Sequence, residues 1–340
     1  MMKIAVVFDT PVSGLEDLDF KAEVAAEVAE AEYEIAEALI ESGHDVFLIG
    51  IHNNLGHLLD RLAEFKPDLV FNACESFMGK ARYDYAVTGV LEMMGYRYTG
   101  SSPEALLLAR DKAASKKILR YHSIEVPRFE VYEPNGPIGA PKEIGFPLIV
   151  KPTHEDASVG IAQASVVNDL AGLTERVIFI HRKLNQSAIA EELIEGREFY
   201  VGIVGNRRPE ILPIVELTFD RIPKPEKKIA TYSAKWDLSY RERWGIKNIF
   251  ARRMAEKTRV EIQRVARTAY TALGLRDYGR IDIRVTADQR VYLLEVNPNP
   301  YISFGEDMAN AAEKAGLDYY RFIERIVKEA LKRYQRDGAA

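Results

Sequence analysis

Gly279-Arg280-Ile281-Asp282-Ile283-Arg284-Val285, followed by Tyr292-Leu293-Leu294-Glu295-Val296-Asn297-Pro298, reads as two strands joined by the turn Ala287-Asp288-Gln289-Arg290. Side chains alternate along a strand, so Arg280 and Asp282 share one face while Ile281, Ile283 and Val285 share the other. Glu295 and Asn297 likewise share a face. A turn made of residues 287–290 sets Asp282 opposite Glu295 and Arg280 opposite Asn297, with Cβ atoms about 5 Å apart. Two carboxylates and an amide oxygen then crowd one small volume. Opposed like charges destabilise a sheet unless something neutralises them, and Mg²⁺, which favours one or two carboxylates together with substrate phosphates, would do so. A solvated polar face with Arg280 bridging the acids is the competing reading. The hairpin alone does not separate the two.

Three further segments carry chemistry. Phe146-Pro147-Leu148-Ile149-Val150-Lys151-Pro152 is an apolar strand ending in a lysine, and Thr153-His154-Glu155-Asp156-Ala157-Ser158-Val159-Gly160 follows it. A lysine at a strand end beside a small-residue loop suits a phosphate, although a snorkelling surface lysine is the commoner outcome. Lys112, at a helix start, and Lys235 share that ambiguity. Glu191-Glu192-Leu193-Ile194-Glu195-Gly196-Arg197-Glu198 places acids on both sides of an apolar pair and a glycine, a pattern open to a base and a ribose or to a plain charged loop.

The chain has 340 residues, of which 47% are hydrophobic and 29% charged, with a net charge of −5. The length predicts two or three domains, and the acidic balance argues against binding nucleic acid through a basic stripe. One cysteine, Cys74, excludes an intrachain disulfide framework and Cys-cluster metal sites; it reads as a buried small apolar residue. No apolar run reaches the ~18–20 residues of a membrane span. MMKIAVVFD is too short an apolar stretch for a secretory leader and reads as a first buried strand. A cytoplasmic protein without a membrane partner is expected.

The first third alternates strand and helix: strands at residues 4–8, 46–49 and 69–72, and helical apolar spacing at Val24, Val28, Ala31, Ile35 and Leu39, then over 55–65 and 86–94. Such alternation implies a doubly wound open sheet. Phe8-Asp9-Thr10-Pro11 stands where a dinucleotide fold would carry GxGxxG. Further strands are expected over 128–132, 187–192, 198–204 and 210–215, and helices over 111–121 and 168–183. Residues 221–247 have few periodic apolar positions and read as a structureless lid. Helices follow around Ile262–Leu273 and Ile323–Tyr334, and the tail 336–340 is expected to fray.

The order Lys112, Lys151-Pro152, Glu191…Glu198, Lys235-Trp236, Arg280-Ile281-Asp282, Glu295-Val296-Asn297 resembles the ATP-grasp superfamily over nearly the whole chain. Within it, the likeness is to the D-alanine–D-alanine ligases. The resemblance implies an α/β fold of three domains: an N-terminal doubly wound open sheet (residues 1–110), a central α+β lid domain (111–195) and a C-terminal α+β domain (196–335). It further implies an ATP-dependent carboxylate–amine ligase working through an acyl phosphate. Lys112, Lys151 and Lys235 would contact the phosphates of ATP, Glu191 and Leu193 the adenine, and Glu198 the ribose, with Ser158 also in the ATP site. Asp282, Glu295 and Asn297 would hold two Mg²⁺ ions, with Mn²⁺ as an alternative, and Arg280 would stabilise charge at the reacting acyl group. The partners implied are a small carboxylate and an amine. Nothing in the sequence encodes an oligomeric state; a homodimer is the default assembly.

The departures from that family lie at the substrate side. The family's early Glu-bearing turn is replaced by Asp9-Thr10-Pro11, and its His-Gly motif by Cys74-Glu75. Its loop Ser falls on Ala157, its mobile-loop Tyr on Trp236, and its carboxylate-anchoring Ser on Glu306. One carboxylate cannot hold another without a cation or proton between them. Glu306 and Glu75 therefore suit a larger or more cationic substrate, and Trp236 offers an aromatic wall. The expected function is a ligase of this type with another amino-acid substrate. A true D-alanine–D-alanine ligase and a nucleotide-binding regulatory protein without turnover are the alternatives.

Overall fold

The computed structural model describes residues 1–10, 30–155 and 158–337. The expected helical positions Val24 and Val28, Pro11 of the early turn, Ala157 of the loop and the last three tail residues lie outside them.

Three sheets organise the chain. The first is parallel, in the order β2-β1-β3, from β1 (Lys3–Asp9), β2 (Asp45–Ile51) and β3 (Leu69–Asn72). β1 is buried over Ile4–Phe8, as its unbroken apolar run requires of a strand covered on both faces. Helix α1 (Glu30–Glu41) lies between β1 and β2 in sequence. α2 (Leu55–Phe65) follows β2, capped by Asn54, whose side chain accepts from His57 N at 3.1 Å. α3 (Asp84–Met93), α4 (Pro103–Arg110) and α5 (Lys112–Tyr121) complete the first third. Asp111 caps α5 by accepting from Ala113 N and Ala114 N, both at 2.9 Å, and this fixes Lys112 as its first residue.

The second sheet is antiparallel, in the order β4-β7-β5-β6, from β4 (Phe129–Tyr132), β5 (Leu148–Pro152), β6 (Val166–Val167) and β7 (Ala188–Glu192), with α6 (Leu170–Leu184) against it. Gly196 then turns the chain so tightly that a Cβ there would overlap the Val285 carbonyl. β8 (Arg197–Val204) enters the third sheet, order β11-β10-β8-β12-β13, with β9 (Glu210–Ile211) on β8 and every pairing antiparallel. Its remaining strands are β10 (Val215–Phe219), β11 (Ile246–Phe250), β12 (Tyr278–Val285) and β13 (Val291–Asn297). α9 (Glu256–Ala272) packs on one face; α10 (Asp307–Lys314) and α11 (Tyr319–Asp337) pack on the other, where they share a core with α1.

Three expectations need correcting. The strand expected over 210–215 is two strands, β9 and β10, because Pro213 between them has no N–H for the ladder. Residues 221–247 are not structureless: they hold α7 (Tyr232–Trp236), α8 (Leu238–Trp244) and the start of β11. The tail holds its helix to Asp337 rather than fraying from Arg336. Among the described residues, no helix is long and apolar enough to cross a membrane.

Candidate active site

β12 and β13 pair Arg280 with Asn297 and Asp282 with Glu295, the register that the deciding stretch predicts. The route differs. Val285 pairs with Val291, so the connection is one residue longer than the expected turn, and Leu294 is an extra residue in β13 that restores the register between Asp282 and Ile283. The Leu294 carbonyl, displaced from the ladder, accepts from Lys116 Nζ at 2.5 Å.

Lys116 is the site residue the sequence reading missed. It sits one helical turn after Lys112 on α5, on the same face, and is 1% exposed. Its Nζ lies 3.3 Å from Glu191 Oε1, and Lys151 Nζ lies 2.8 Å from Glu191 Oε2. Burial alone would raise the Glu191 carboxyl; the two ammonium groups more than offset this and hold it below the ordinary range. Burial pushes the Lys116 amine down, partly countered by Glu191. Spacing of i, i+4 from Lys112 was the available signal. Arg284 was missed too: it follows Asp282 by two residues on the same strand face, pairs with Glu198, and donates to Ile194 O at 3.0 Å.

Lys151, Ser158, Glu191, Leu193, Glu198, Lys235, Asp282 and Glu295 line one cleft between the second and third sheets. Lys112 reaches it from the side, its Nζ 2.6 Å from Glu295 Oε1. Leu193 N donates to Pro147 O at 3.4 Å. The loop after β5 is fastened across the cleft to the segment before and within α7. Ser158 Oγ donates to Ala230 O at 2.6 Å, Tyr232 N to Ile161 O at 3.1 Å, and Gln163 Nε2 to Lys227 O at 3.1 Å.

A second cavity of about 450 Å³ adjoins the cleft. It brings together Glu75, Trp236 and Glu306, the three residues read as substrate-facing, with Arg280 and Asn297. Lys235 lines both spaces and, among the described residues, no other residue does. Lys235 Nζ lies 5.8 Å from the Tyr200 ring and the Arg280 guanidinium 5.0 Å from it. Arg280 Nε donates to Asp282 Oδ1 at 2.7 Å and its Nη2 to Oδ2 at 3.1 Å. His154, on the β5 loop, lies 3.8 Å from Asp111.

The acids of the hairpin sit in unlike fields. Burial raises the Asp282 carboxyl despite Arg280 and Lys235. Burial also opposes ionisation of Glu295, but Lys112, Lys235 and Lys151 together hold it at about 2. Glu295 Oε1 is buried against the Lys112 ammonium, 2.6 Å away. Asp282, Glu295 and the Asn297 amide oxygen are hard donors of the kind Mg²⁺ takes, so this set fits the ion with substrate phosphates completing its shell. Among the described residues, no group of three or more His, Cys, Asp or Glu side chains could hold a metal by itself.

Glu32, on α1, is driven by burial up to about 7, with Asp9 and Glu34 adding repulsion. Its carboxyl thus keeps its proton in the folded protein where the unfolded chain has lost it. That stabilisation is complete below about pH 4.5 and disappears as pH rises through about 7. Glu32→Gln cannot titrate. Relative to the native protein, it is expected to gain on the order of 2–3 kcal/mol between pH 4.5 and 8. Urea unfolding of both proteins across that range checks this; a constant difference would refute it.

The three sheets, with the cleft between the second and third, are the ATP-grasp fold, and they define the class of ATP-grasp ligases. The family model described as D-ala D-ala ligase C-terminus matches residues 120–328. The chain belongs to the D-alanine–D-alanine ligase family. It is 31% identical over 293 residues to the D-alanine–D-alanine ligase of Aquifex aeolicus, covering 86% of this chain and 92% of that one. It is also 31% identical over 309 residues to the uncharacterized protein y4sG of Sinorhizobium fredii, covering 89% and 88%. The crystal structure of D-alanine–D-alanine ligase from Bacillus anthracis complexed with ATP shares the fold, with TM-score 0.77 at 21% identity over 99% of this chain and 100% of that one.

Proposed function

We propose that this chain joins a carboxylate to an amine at the expense of ATP, and that its substrate pair differs from two molecules of D-alanine. The observation that supports this is the meeting of two spaces at Lys235. One is lined by lysines and the acids Glu191, Glu198, Asp282 and Glu295; the other is a cavity able to take an amino acid. A carboxylate in the cavity lies beside Lys235 and Arg280, and an ATP in the cleft directs its phosphates to Lys112, Lys151 and Lys235.

The reaction needs no covalent group from the protein. A substrate carboxylate oxygen attacks the γ-phosphorus, the bond to the bridging oxygen breaks, and ADP leaves. The amine nitrogen then attacks the acyl carbon, the carbon–oxygen bond to phosphate breaks, phosphate leaves, and the nitrogen gives up a proton. Catalysis is positioning and charge neutralisation. Mg²⁺, held by Asp282, Glu295 and Asn297, would neutralise phosphate oxygens. Arg280, fixed by its two bonds to Asp282, faces the negative charge that builds on the acyl oxygen. The fastened cover of residues 158–163 and 227–232 keeps water from the activated acid.

Trp236 and Glu306 in the cavity support a substrate other than D-alanine, since Glu306 repels the carboxylate an alanine acceptor would present. ADP and phosphate release with Mg-ATP, across paired L- and D-amino acids, tests both statements. Stimulation by one pair is expected. D-alanine as the best substrate would refute the second statement, and tight ATP binding with no stimulated release would identify a nucleotide-binding protein without turnover.

A further inference from the structure

The cavity carries more acid than its own cations balance. Among the described residues, five carboxylates line it, against four cations. Two of those cations are committed to acids outside the lining. Arg110 donates to Asp84 at 2.5 Å and Arg280 to Asp282 at 2.7 Å. A third, Arg241, is held by Ala234 O at 2.6 Å and Asn248 Oδ1 at 3.2 Å. The Glu306 side chain makes no hydrogen bond or ion pair with any described residue.

These acids are spread round the cavity instead of converging: among the described residues, no three could bind a metal ion together. Between them stands an aromatic pair, with the Trp236 and Tyr301 rings edge to face at 6.0 Å. Burial raises the Tyr301 phenol, and Glu32, Glu306 and Glu75 all add to the rise, so this ring lies in the field of all three carboxylates. Burial likewise raises the Glu306 carboxyl, with Asp307 adding to the rise and Arg241 and Arg280 opposing it. Acids dispersed beside aromatic faces suit an extended organic cation, which gains from both.

The ligase chemistry assigns the two ends of the space. The carboxylate to be activated takes the cationic end at Lys235 and Arg280, where the cleft begins. The acidic remainder is left for the amine. We propose that the amine-bearing substrate carries a second positive charge, as in a basic amino acid or a diamine, held by Glu306, Glu75 and the Trp236–Tyr301 pair. This rests on the ligase reading above.

The test measures ADP release and product mass with a panel of acyl donors. The acceptors are lysine, ornithine, arginine and 1,5-diaminopentane, against norleucine and alanine, with D and L forms of the chiral ones. A basic acceptor is expected to give the highest kcat/KM, at least tenfold above norleucine. Glu306→Gln, whose side chain leaves no partner behind, is expected to cut the lysine-over-norleucine ratio at least tenfold, and Glu306→Asp to keep part of it. Norleucine or alanine serving as well as lysine, or an unchanged ratio in Glu306→Gln, overturns the proposal while the ligase reading stands. No release with any pair overturns that reading, and the proposal with it.

Discussion

Protein carrying Asp282→Asn is expected to fold and to lose ligase turnover by about 10²–10³-fold, the usual cost of removing one group that stabilises developing charge. Asp282 has two tasks here. It is a hard oxygen donor facing Glu295 across the hairpin, and it holds both nitrogens of the Arg280 fork. Asparagine keeps the volume but removes the charge. It can offer one oxygen to Arg280 where the carboxylate offers two, so the guanidinium loses its fixed angle and the proposed metal would lose a ligand. ADP release per enzyme measures the loss, and thermal melting confirms the fold. Turnover within tenfold of the native protein would refute the assignment of Asp282. Glu295→Gln should behave alike in turnover, and it strips Lys112 of its ion pair as well.

The largest effect on stability is expected from Arg333→Met. Asp277, just before β12, is wholly buried and accepts from Gly100 N, Asn206 Nδ2 and Arg333 Nη2, all at 2.9 Å. Arg333 also donates to Tyr98 O at 2.9 Å. The cluster joins the strand-to-helix junction at 98–101, the third sheet and the last helix. Removing the only cation paired with it among the described residues leaves a carboxylate in the interior with neutral donors, which costs about 3–5 kcal/mol. Thermal or urea unfolding checks this. The double change Arg333→Met with Asp277→Asn is expected to be less destabilising than the sum of the two single ones, because no charge is stranded. Full additivity would show that the pair is not a unit.

The parts of this protein that follow a repeat were legible in its sequence. Buried parallel strands announce themselves as apolar runs, and α11 by regular spacing from Ile323 to Tyr334. The helices of residues 232–244 did not, because elements of five and seven residues are too short to show a period. The register of Asp282 against Glu295 came out right although the turn was read one residue short, since the bulge at Leu294 compensates. A bulge depends on what receives its carbonyl, here a lysine from α5, and that partner is 178 positions away. Lys116 itself was hidden among the other lysines of its helix. Sequence shows a charge but not whether it is buried, and burial is what separates Lys116 from Lys117.

Lys235, among the described residues the one shared wall of the two spaces, has a kinetic meaning. On the proposed function, the nucleotide side is bridged by three hydrogen bonds between segments 158–163 and 227–232, so exchange of ATP and ADP is expected to require those segments to part. The other side has exposed residues, Glu75, Trp236 and Tyr301, at its rim. The amine is therefore expected to visit and depart many times during a single residence of the nucleotide. Scarce amine would make amide formation the slow step, and abundant amine would leave nucleotide exchange to set the rate.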